Sequence, residues 1–243
     1  MCGRFILIQE ANSLKKHFGA DFPEEARYRP SYNISPGQKT VVITGDFPKM
    51  LRMLRFGLFS NELPINEIHV NIRPEEDGIK ANGLDYHEGT SIFDDPVYGN
   101  LMRMHRCLVP ADAYIEFPEG SKFNKPYVIY LRNKVRPFTL AGIWNEAFLP
   151  DSNEAIRSFS ILTTSPNRLV ARLHSSRMPV IFHREDEERW LCDSTPQEEL
   201  SALMKPYPAE LMNGYPIAPT IINPKANDPG LIHPAGPRIF PEG

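Results

Sequence analysis

The chain has 243 residues, a formal net charge of −3 and 41% hydrophobic residues. This length allows a substantial core, and the absence of a long linker predicts a single domain over residues 1–243. No apolar run is long enough to span a bilayer, and the first residues lack the basic-then-apolar pattern of a signal peptide, so we expect a cytoplasmic protein.

Segments rich in β-branched and aromatic residues alternate with a few amphipathic ones. They predict an α+β fold in which the strands form one curved sheet system and the helices pack outside it. Nine of the 24 prolines follow Lys205, so the final segment should be extended and irregular. In chain order, we predict a helix at 11–18 that stops at Gly19, strands at 40–44, 51–58, 127–131, 137–143, 158–164 and 178–182, a helix at 185–192, and a helix opened by a capping box at Thr195-Pro196-Gln197-Glu198 and ending near Met204.

Charge is unevenly distributed along the chain. Residues 1–60 carry nine Lys or Arg against five Asp or Glu, and residues 101–183 carry eleven against six, whereas the remaining two blocks are acidic. This distribution permits one basic face on an acidic protein, and it equally permits an ordinary solvated surface. A modest basic groove suits a short single strand of nucleic acid better than a long duplex, whose affinity depends on many phosphate contacts.

Three cysteines, Cys2, Cys107 and Cys192, are too few and too scattered to indicate a disulfide framework or a zinc site. We predict neither a metal nor a cofactor.

Cys2 is special because removal of Met1 would leave it at the amino terminus. An N-terminal cysteine combines an amine that forms a Schiff base with an aldehyde and a thiol that closes on the imine as a thiazolidine. A cysteine near a terminus can also be a small hydrophobic residue without a role.

An ordered set of short motifs runs through almost the whole chain. They are Cys2-Gly3-Arg4-Phe5, Tyr32-Asn33-Ile34-Ser35-Pro36-Gly37, Arg55-Phe56-Gly57-Leu58, Val70-Asn71-Ile72-Arg73-Pro74-Glu75, the segment 106–117, Ala141-Gly142-Ile143-Trp144, His174-Ser175-Ser176-Arg177-Met178-Pro179 and Tyr215-Pro216-Ile217-Ala218-Pro219. In that order they resemble the SRAP family, the SOS-response-associated peptidase domain whose members crosslink to abasic sites in single-stranded DNA. The resemblance implies mainly antiparallel sheets that form a barrel-like core.

The resemblance also implies a role for each matching residue. Cys2, Asn71, Glu116 and His174 would be catalytic: Cys2 forms the covalent bond, Asn71 holds the amine or the opened sugar, and the other two carry protons. The residues expected to contact DNA are Arg4, Asn33, Pro36, Phe59, Arg73 and Arg177. The expected partner is single-stranded DNA with abasic sites, bound by a monomer that associates with the nucleoid when DNA is damaged.

Glu116 lies in the apolar, strand-like stretch Ala113-Tyr114-Ile115-Glu116-Phe117. Burial of a carboxyl there would raise its pKa towards the range where it can donate and accept protons. The stretch alone also allows an outward-facing strand glutamate. His174 is the second proposed proton carrier, although this chain has one more residue between the histidine and Arg177 than the family's His-x-Arg spacing.

The aromatic residues depart from the family pattern. Phe56 and Phe59 stand where the family commonly has tryptophan, and either could stack on a base. Phe117 likewise replaces a tryptophan after the glutamate. An acidic insertion at 76–90 is predicted to be a loop that could restrict access to the site.

Three classes of function remain open from the sequence. The first is covalent capture of abasic sites through Cys2, with strand-cleaving lyase activity left undecided. The second is an N-terminal-nucleophile cysteine peptidase or other amide hydrolase, of which self-removal of Met1 would be the minimal form. The third is a noncovalent reader of modified DNA.

Overall fold

The computed structural model describes residues 3–60, 68–74, 91–120, 125–148 and 155–241. Cys2, Glu75 and the loop predicted at 76–90 lie outside the described residues. Within the described ranges, no helix is both long and apolar enough to cross a membrane.

Strands make up most of the regular structure. They are β1 (Arg4–Leu7), β2 (Ser31–Ile34), β3 (Lys39–Thr44), β4 (Phe47–Phe56), β5 (Asn71–Ile72), β6 (Arg106–Ala111), β7 (Ala113–Glu116), β8 (Tyr127–Leu131), β9 (Phe138–Phe148), β10 (Ala155–Thr164), β11 (Met178–Pro179), β12 (Ile181–Phe182) and β13 (Met212–Pro216). The α-helices of the described residues are α1 (Ala11–Phe18), α2 (Gly99–Met104), α3 (Arg168–Ala171), α4 (Glu187–Leu191) and α5 (Gln197–Leu203).

Five of these strands close into a barrel. β10 pairs with β4 on one side and with β9 on the other, and the ring is completed through β3 and β6. All the pairings around the ring are antiparallel except that of β10 with β4, and β10 also pairs in parallel with the short strand β5. The fold predicted from the sequence is therefore confirmed: strand-rich α+β, mainly antiparallel, with a barrel core and few helices.

A second sheet of five strands lies beside the barrel in the order β13, β8, β7, β1, β2. β6 leads into it almost directly, because only Asp112 separates the last residue of β6 from the first residue of β7. The Asp112 carboxylate accepts hydrogen bonds from the Ile8 backbone N–H at 2.7 Å and the Gln9 amide at 2.8 Å. These bonds fix the start of β7 against the chain that follows β1.

Aromatic packing joins the two sheets. Phe5 of β1 meets Phe56 of β4 edge to face at 5.3 Å between ring centroids, and Phe56 stacks on Phe159 of β10 at 5.2 Å. All three side chains are buried. A second apolar cluster, which includes Ile6, Ile115 and Ile221, forms where the outer face of the second sheet meets the carboxyl-terminal segment.

The local predictions succeed where the side-chain pattern is strong. α1 and β8 have the predicted bounds, and α1 ends at Gly19 in the left-handed conformation (φ 59°). The capping box predicted at Thr195 is wrong: Pro196 is the N-cap of α5, and the Thr195 hydroxyl donates to the Arg189 carbonyl at 2.6 Å instead. The side-chain pattern did not predict the strands β1, β6 and β13 or the helices α2 and α3.

Candidate active site

Glu116 is the last residue of β7, and its side chain is fully buried. Loss of water around the carboxyl raises its pKa, as the apolar stretch predicts. Hydrogen bonds donated by the Ser175 hydroxyl and the Phe117 backbone N–H favour the charged form and offset part of that rise. The result is a carboxyl at the end of a strand that is suited to exchange a proton.

The Ser175 hydroxyl reaches Glu116 from the turn that follows α3. Its Oγ donates to Glu116 Oε1 over 2.9 Å, and Ser175 is buried. The preceding residue, His174, is exposed and has a left-handed backbone (φ 54°). A left-handed residue changes the chain direction sharply, and histidine adopts this region more readily than bulkier or β-branched residues do. The turn thus presents serine, and not the predicted His174, to the Glu116 carboxyl.

The next residue of the turn makes a parallel contact outside the buried pocket. The Ser176 backbone N–H donates to Glu119 Oε1 at 3.2 Å, and its hydroxyl donates to the same oxygen. These bonds, chiefly the one from the hydroxyl, lower the pKa of the exposed Glu119, and the Arg73 charge lowers it further. Arg73 is half-buried at the end of β5, so the structure brings β5 and the Ser176 turn close together.

Arg177 fixes the turn to the barrel. It is buried, and its Nη2 donates to the Thr163 carbonyl and, at 3.4 Å, to the Thr163 hydroxyl. That hydroxyl donates in turn to the Ile72 carbonyl at 3.2 Å. A phosphate would have to compete with these bonds for the guanidinium, so contact between Arg177 and DNA stays a prediction.

Asn71 begins β5, opposite Ile161 of β10. Its Oδ1 is buried and has no hydrogen-bond partner among the described residues. A buried amide oxygen without a donor is costly, so Asn71 Oδ1 is a candidate acceptor for a donor that lies outside the described residues or on a bound substrate. An ammonium or a sugar hydroxyl would satisfy it.

The amino-terminal strand approaches the same place. β1 pairs with β7 in the register Phe5 opposite Tyr114 and Arg4 opposite Ile115. One more step of this antiparallel register aligns Gly3 with Glu116. Cys2, which precedes Gly3 in the sequence, lies outside the described residues.

Arg4 and Asn33 lie together on β1 and β2, and their hydrogen bonds go to the carboxyl-terminal segment. Arg4 donates to Asn33 Oδ1 at 2.9 Å and to the Ile222 carbonyl at 2.6 Å. Asn33 Nδ2 donates to the carbonyls of Asn223 at 2.9 Å and Ala226 at 3.0 Å. Both side chains therefore hold that segment against the second sheet, and DNA contact by either stays a prediction.

The aromatic candidates separate into two groups. Phe56 is fully buried between Phe5 and Phe159, so the prediction that it could stack on a base is wrong. Phe59 is half-buried, and its backbone is held by the Ser158 hydroxyl at 2.8 Å and the Asn145 amide at 3.1 Å. Pro36 is exposed. Phe59 and Pro36 remain available for the contacts predicted from the sequence.

Sequence reasoning missed three residues at this site: Ser175, Glu119 and Thr163. For Ser175 a signal existed. If the His-x-Arg spacing is counted back from Arg177, it reaches Ser175 and not His174. Glu119 and Thr163 gave no local signal, because their importance comes only from what the fold packs against them.

Comparison with known proteins agrees with this geometry. The model of the family described as SOS response associated peptidase (SRAP) matches residues 1–224. The chain belongs to the SRAP family. The abasic site processing protein YoqW of Bacillus subtilis (strain 168) is 31% identical over 239 residues, which cover 96% of this chain and 99% of the relative. The abasic site processing protein HMCES of Gallus gallus is 26% identical over 232 residues, which cover 84% of this chain and 66% of the relative.

A solved structure shares the SRAP fold described above. A crystal structure of a protein from Bacteroides thetaiotaomicron superimposes with a TM-score of 0.81 at 24% identity, covering 97% of this chain and 100% of the other. At that identity the likeness concerns the fold alone. The barrel and the second sheet therefore belong to a fold that another solved protein shares.

Proposed function

We propose that this protein processes abasic sites in DNA by forming a covalent thiazolidine crosslink through Cys2, after removal of Met1. The observation that carries the proposal is the register of β1 on β7, which aligns Gly3 with the buried carboxyl of Glu116. Consecutive Cα atoms are about 3.8 Å apart, so we propose that the amine and the thiol of the residue before Gly3 react beside that carboxyl. Relatives along nearly the full chain that are named abasic site processing proteins support the same function.

The chemistry balances without a cofactor. The Cys2 amine adds to the aldehyde carbon of the opened deoxyribose, and one water leaves as the imine forms. The thiol sulfur then adds to the imine carbon, and its proton passes to the nitrogen, which closes the five-membered ring. The net change is the loss of one water, with no oxidation or reduction.

Glu116 supplies the proton transfers that this sequence needs. In its protonated form it can protonate the sugar ring oxygen as the hemiacetal opens, and then the hydroxyl that leaves as water. As a carboxylate it can take a proton from the Cys2 ammonium and so free the nucleophilic amine. Burial raises the pKa of this carboxyl and so favours its protonated form, while the Ser175 and Phe117 hydrogen bonds favour the carboxylate.

Asn71 and Arg73 suit the two ends of the substrate. The buried Asn71 oxygen can accept from the amine or from a sugar hydroxyl. Arg73, two residues further along the chain, can pair its planar guanidinium with two phosphate oxygens. Phe59, half-buried, can stack on a base next to the lesion. We infer that single-stranded DNA is the preferred substrate, because these residues would contact only the lesion, a phosphate and one base, whereas duplex binding depends on many phosphate contacts.

The test combines mass spectrometry with a denaturing gel. The purified protein should lack Met1, and incubation with a single-stranded oligonucleotide containing one abasic site should give a heat-stable adduct whose mass is the sum of the two minus one water. Cys2→Ala should lose the stable adduct, because its amine can form only a reversible Schiff base. The same oligonucleotide with an intact base is the control.

Three outcomes would contradict the proposal. Equal heat-stable crosslinking by Cys2→Ala would exclude the thiazolidine. Retention of tight but never covalent binding by the wild-type protein would favour a reader of modified DNA. Cleavage of peptides by the Cys2 thiol, with no adduct on abasic DNA, would favour the peptidase.

A further inference from the structure

We propose that the Ser175 hydroxyl positions the Glu116 carboxyl for proton transfer, and that serine takes the place beside that carboxyl which the sequence assigned to His174. Ser175 Oγ donates to Glu116 Oε1 over 2.9 Å, and both side chains are buried. The inference rests on the proposed function for its catalytic meaning. The hydrogen bond itself can be tested without DNA.

The turn that carries Ser175 is held at several points, so the hydroxyl is not free to drift. Arg177 bonds to Thr163 of β10 on the barrel side. On the solvent side Ser176 bonds to Glu119, which follows β7 by three residues. Ser175 therefore lies between two anchors that connect the turn to the barrel and to the end of the strand bearing Glu116. Such an arrangement suits a positioning residue.

The surroundings leave Ser175 as the main side-chain influence on Glu116 within the described residues. Burial is the largest cause of the raised pKa, and the described groups that oppose it are the Ser175 hydroxyl and the Phe117 backbone N–H. Arg177 directs its guanidinium at Thr163, and the Arg73 charge acts on Glu119. In the proposed reaction the Cys2 amine also faces this carboxyl.

His174 occupies the other side of the turn. Its exposed position and left-handed backbone direct the chain so that the next residue, Ser175, enters the pocket. Serine donates a hydrogen bond without titrating near neutral pH, so it can orient the carboxyl but cannot share its proton transfers. Proton transfer in this site then depends on Glu116 and on the reacting groups themselves.

The decisive measurement is a titration of the Glu116 carboxyl in the free protein by carbon-13 NMR, with its resonance assigned by its loss in Glu116→Gln. A hydrogen bond donated to a carboxylate favours the charged form, so its loss raises the pKa. In Ser175→Ala the titration midpoint should move to higher pH by about one pH unit, the size expected for losing one hydrogen bond to a charged group. Ser175→Thr, which keeps the hydroxyl, should restore most of the wild-type midpoint.

Ser176→Ala is the matched control, because it removes a hydroxyl that bonds to Glu119 and keeps the Ser176 backbone N–H bond that anchors the turn. It should leave the Glu116 midpoint in place, and so should His174→Asn, since asparagine also adopts the left-handed backbone. Thermal melting of each variant shows whether the fold persists. An unchanged midpoint in a folded Ser175→Ala protein would overturn the proposal, and so would an equal shift in His174→Asn.

Crosslinking rates then connect the hydrogen bond to the reaction. In Ser175→Ala the maximal rate should fall about tenfold because the carboxyl is no longer oriented, and the alkaline limb of the pH profile should move with the NMR midpoint. If the wild-type protein forms no adduct, the proposed function fails while the NMR result for Ser175 stands. If adducts form but the limb does not follow the midpoint, the positioning role is wrong and the function stands.

Discussion

A buried carboxyl lies at each end of β7, and the two carboxyls accept hydrogen bonds from different groups. Asp112 precedes the strand and accepts hydrogen bonds from the Ile8 backbone and the Gln9 amide, so its oxygens are occupied by groups next to β1. Glu116 closes the strand, and among the described residues the Ser175 hydroxyl donates to it. Burial raises the pKa of both carboxyls. Burial alone therefore does not distinguish them, and we expect their hydrogen-bond partners to decide which one exchanges a proton.

Replacing Glu116 should give the largest effect on activity. Glu116→Gln keeps an oxygen that accepts from Ser175 but cannot titrate, so crosslinking to abasic single-stranded DNA should slow by about 10²-fold or more. Wild-type capture should also decline as the pH rises through the raised pKa of Glu116, because the protonated form is lost, and this limb of the profile should vanish in the variant. Adduct yield against time on denaturing gels, across a range of pH, measures both effects.

An unchanged pH profile in Glu116→Gln would show that another group is the principal acid. A collapse of crosslinking in His174→Ala would then identify that group as the histidine predicted from the sequence. In that case the different hydrogen bonds of Asp112 and Glu116 would not explain which group acts in catalysis.

Replacing Asp112 should affect stability instead. Asp112→Ala removes the acceptors of the Ile8 and Gln9 bonds, and the loss of hydrogen bonds to a charged group should lower the free energy of unfolding by about 1.5 to 3 kcal/mol. Folded protein should still crosslink at close to the wild-type rate. Urea denaturation measures the first quantity, and the initial rate of adduct formation at a temperature where the variant is folded measures the second.

Gln9→Ala is the control for this prediction, because it removes only one of the two bonds and should cost less. A loss of crosslinking in folded Asp112→Ala as large as in Glu116→Gln would show that the two carboxyls act together, and the proposed division of roles along β7 would be wrong.

Much of this architecture could be predicted from the sequence, and the physical reason is the density of apolar side chains in the strands. β3 and β10 are runs of β-branched and aromatic residues that pack well in a buried sheet. β1 and β13 were harder because they are short and contain Arg4, Gly214 or Pro216, so their pairing is decided by tertiary contacts. The apolar stretch around Glu116 allowed either a buried or an outward-facing carboxyl, and the resemblance to the SRAP family favoured the buried one.

The site was less predictable at the turn after α3, where the backbone of one residue decides which side chain contacts Glu116. The segment His174-Ser175-Ser176-Arg177 has a titratable candidate, and residue chemistry favours the histidine. The left-handed backbone at His174 and the anchoring of Arg177 to Thr163 select Ser175 instead. Phe56 shows the same effect, since its aromatic ring suits base stacking but the barrel buries it.

Two arginines also differ in the groups that surround them, and this difference carries the smallest expected effect. Arg4 bonds to Asn33 and to the Ile222 carbonyl, and these bonds hold it against the carboxyl-terminal segment. Arg73 is half-buried, and its charge lowers the pKa of Glu119, which bonds to the Ser176 turn beside the proposed site. We therefore expect Arg73, and not Arg4, to neutralise a phosphate of the bound strand.

Salt dependence distinguishes the two, because each neutralised phosphate of a single strand contributes about 0.7 to the slope of log K against log salt concentration. Noncovalent binding, measured in a Cys2→Ala background, should lose about that much slope in Arg73→Ala and almost none in Arg4→Ala. Arg4→Ala should instead lower the stability, because it frees Asn33 and Ile222 from their partner. A reduced slope in Arg4→Ala with an unchanged slope in Arg73→Ala would assign the phosphate contact to Arg4 on β1 and would reverse the prediction.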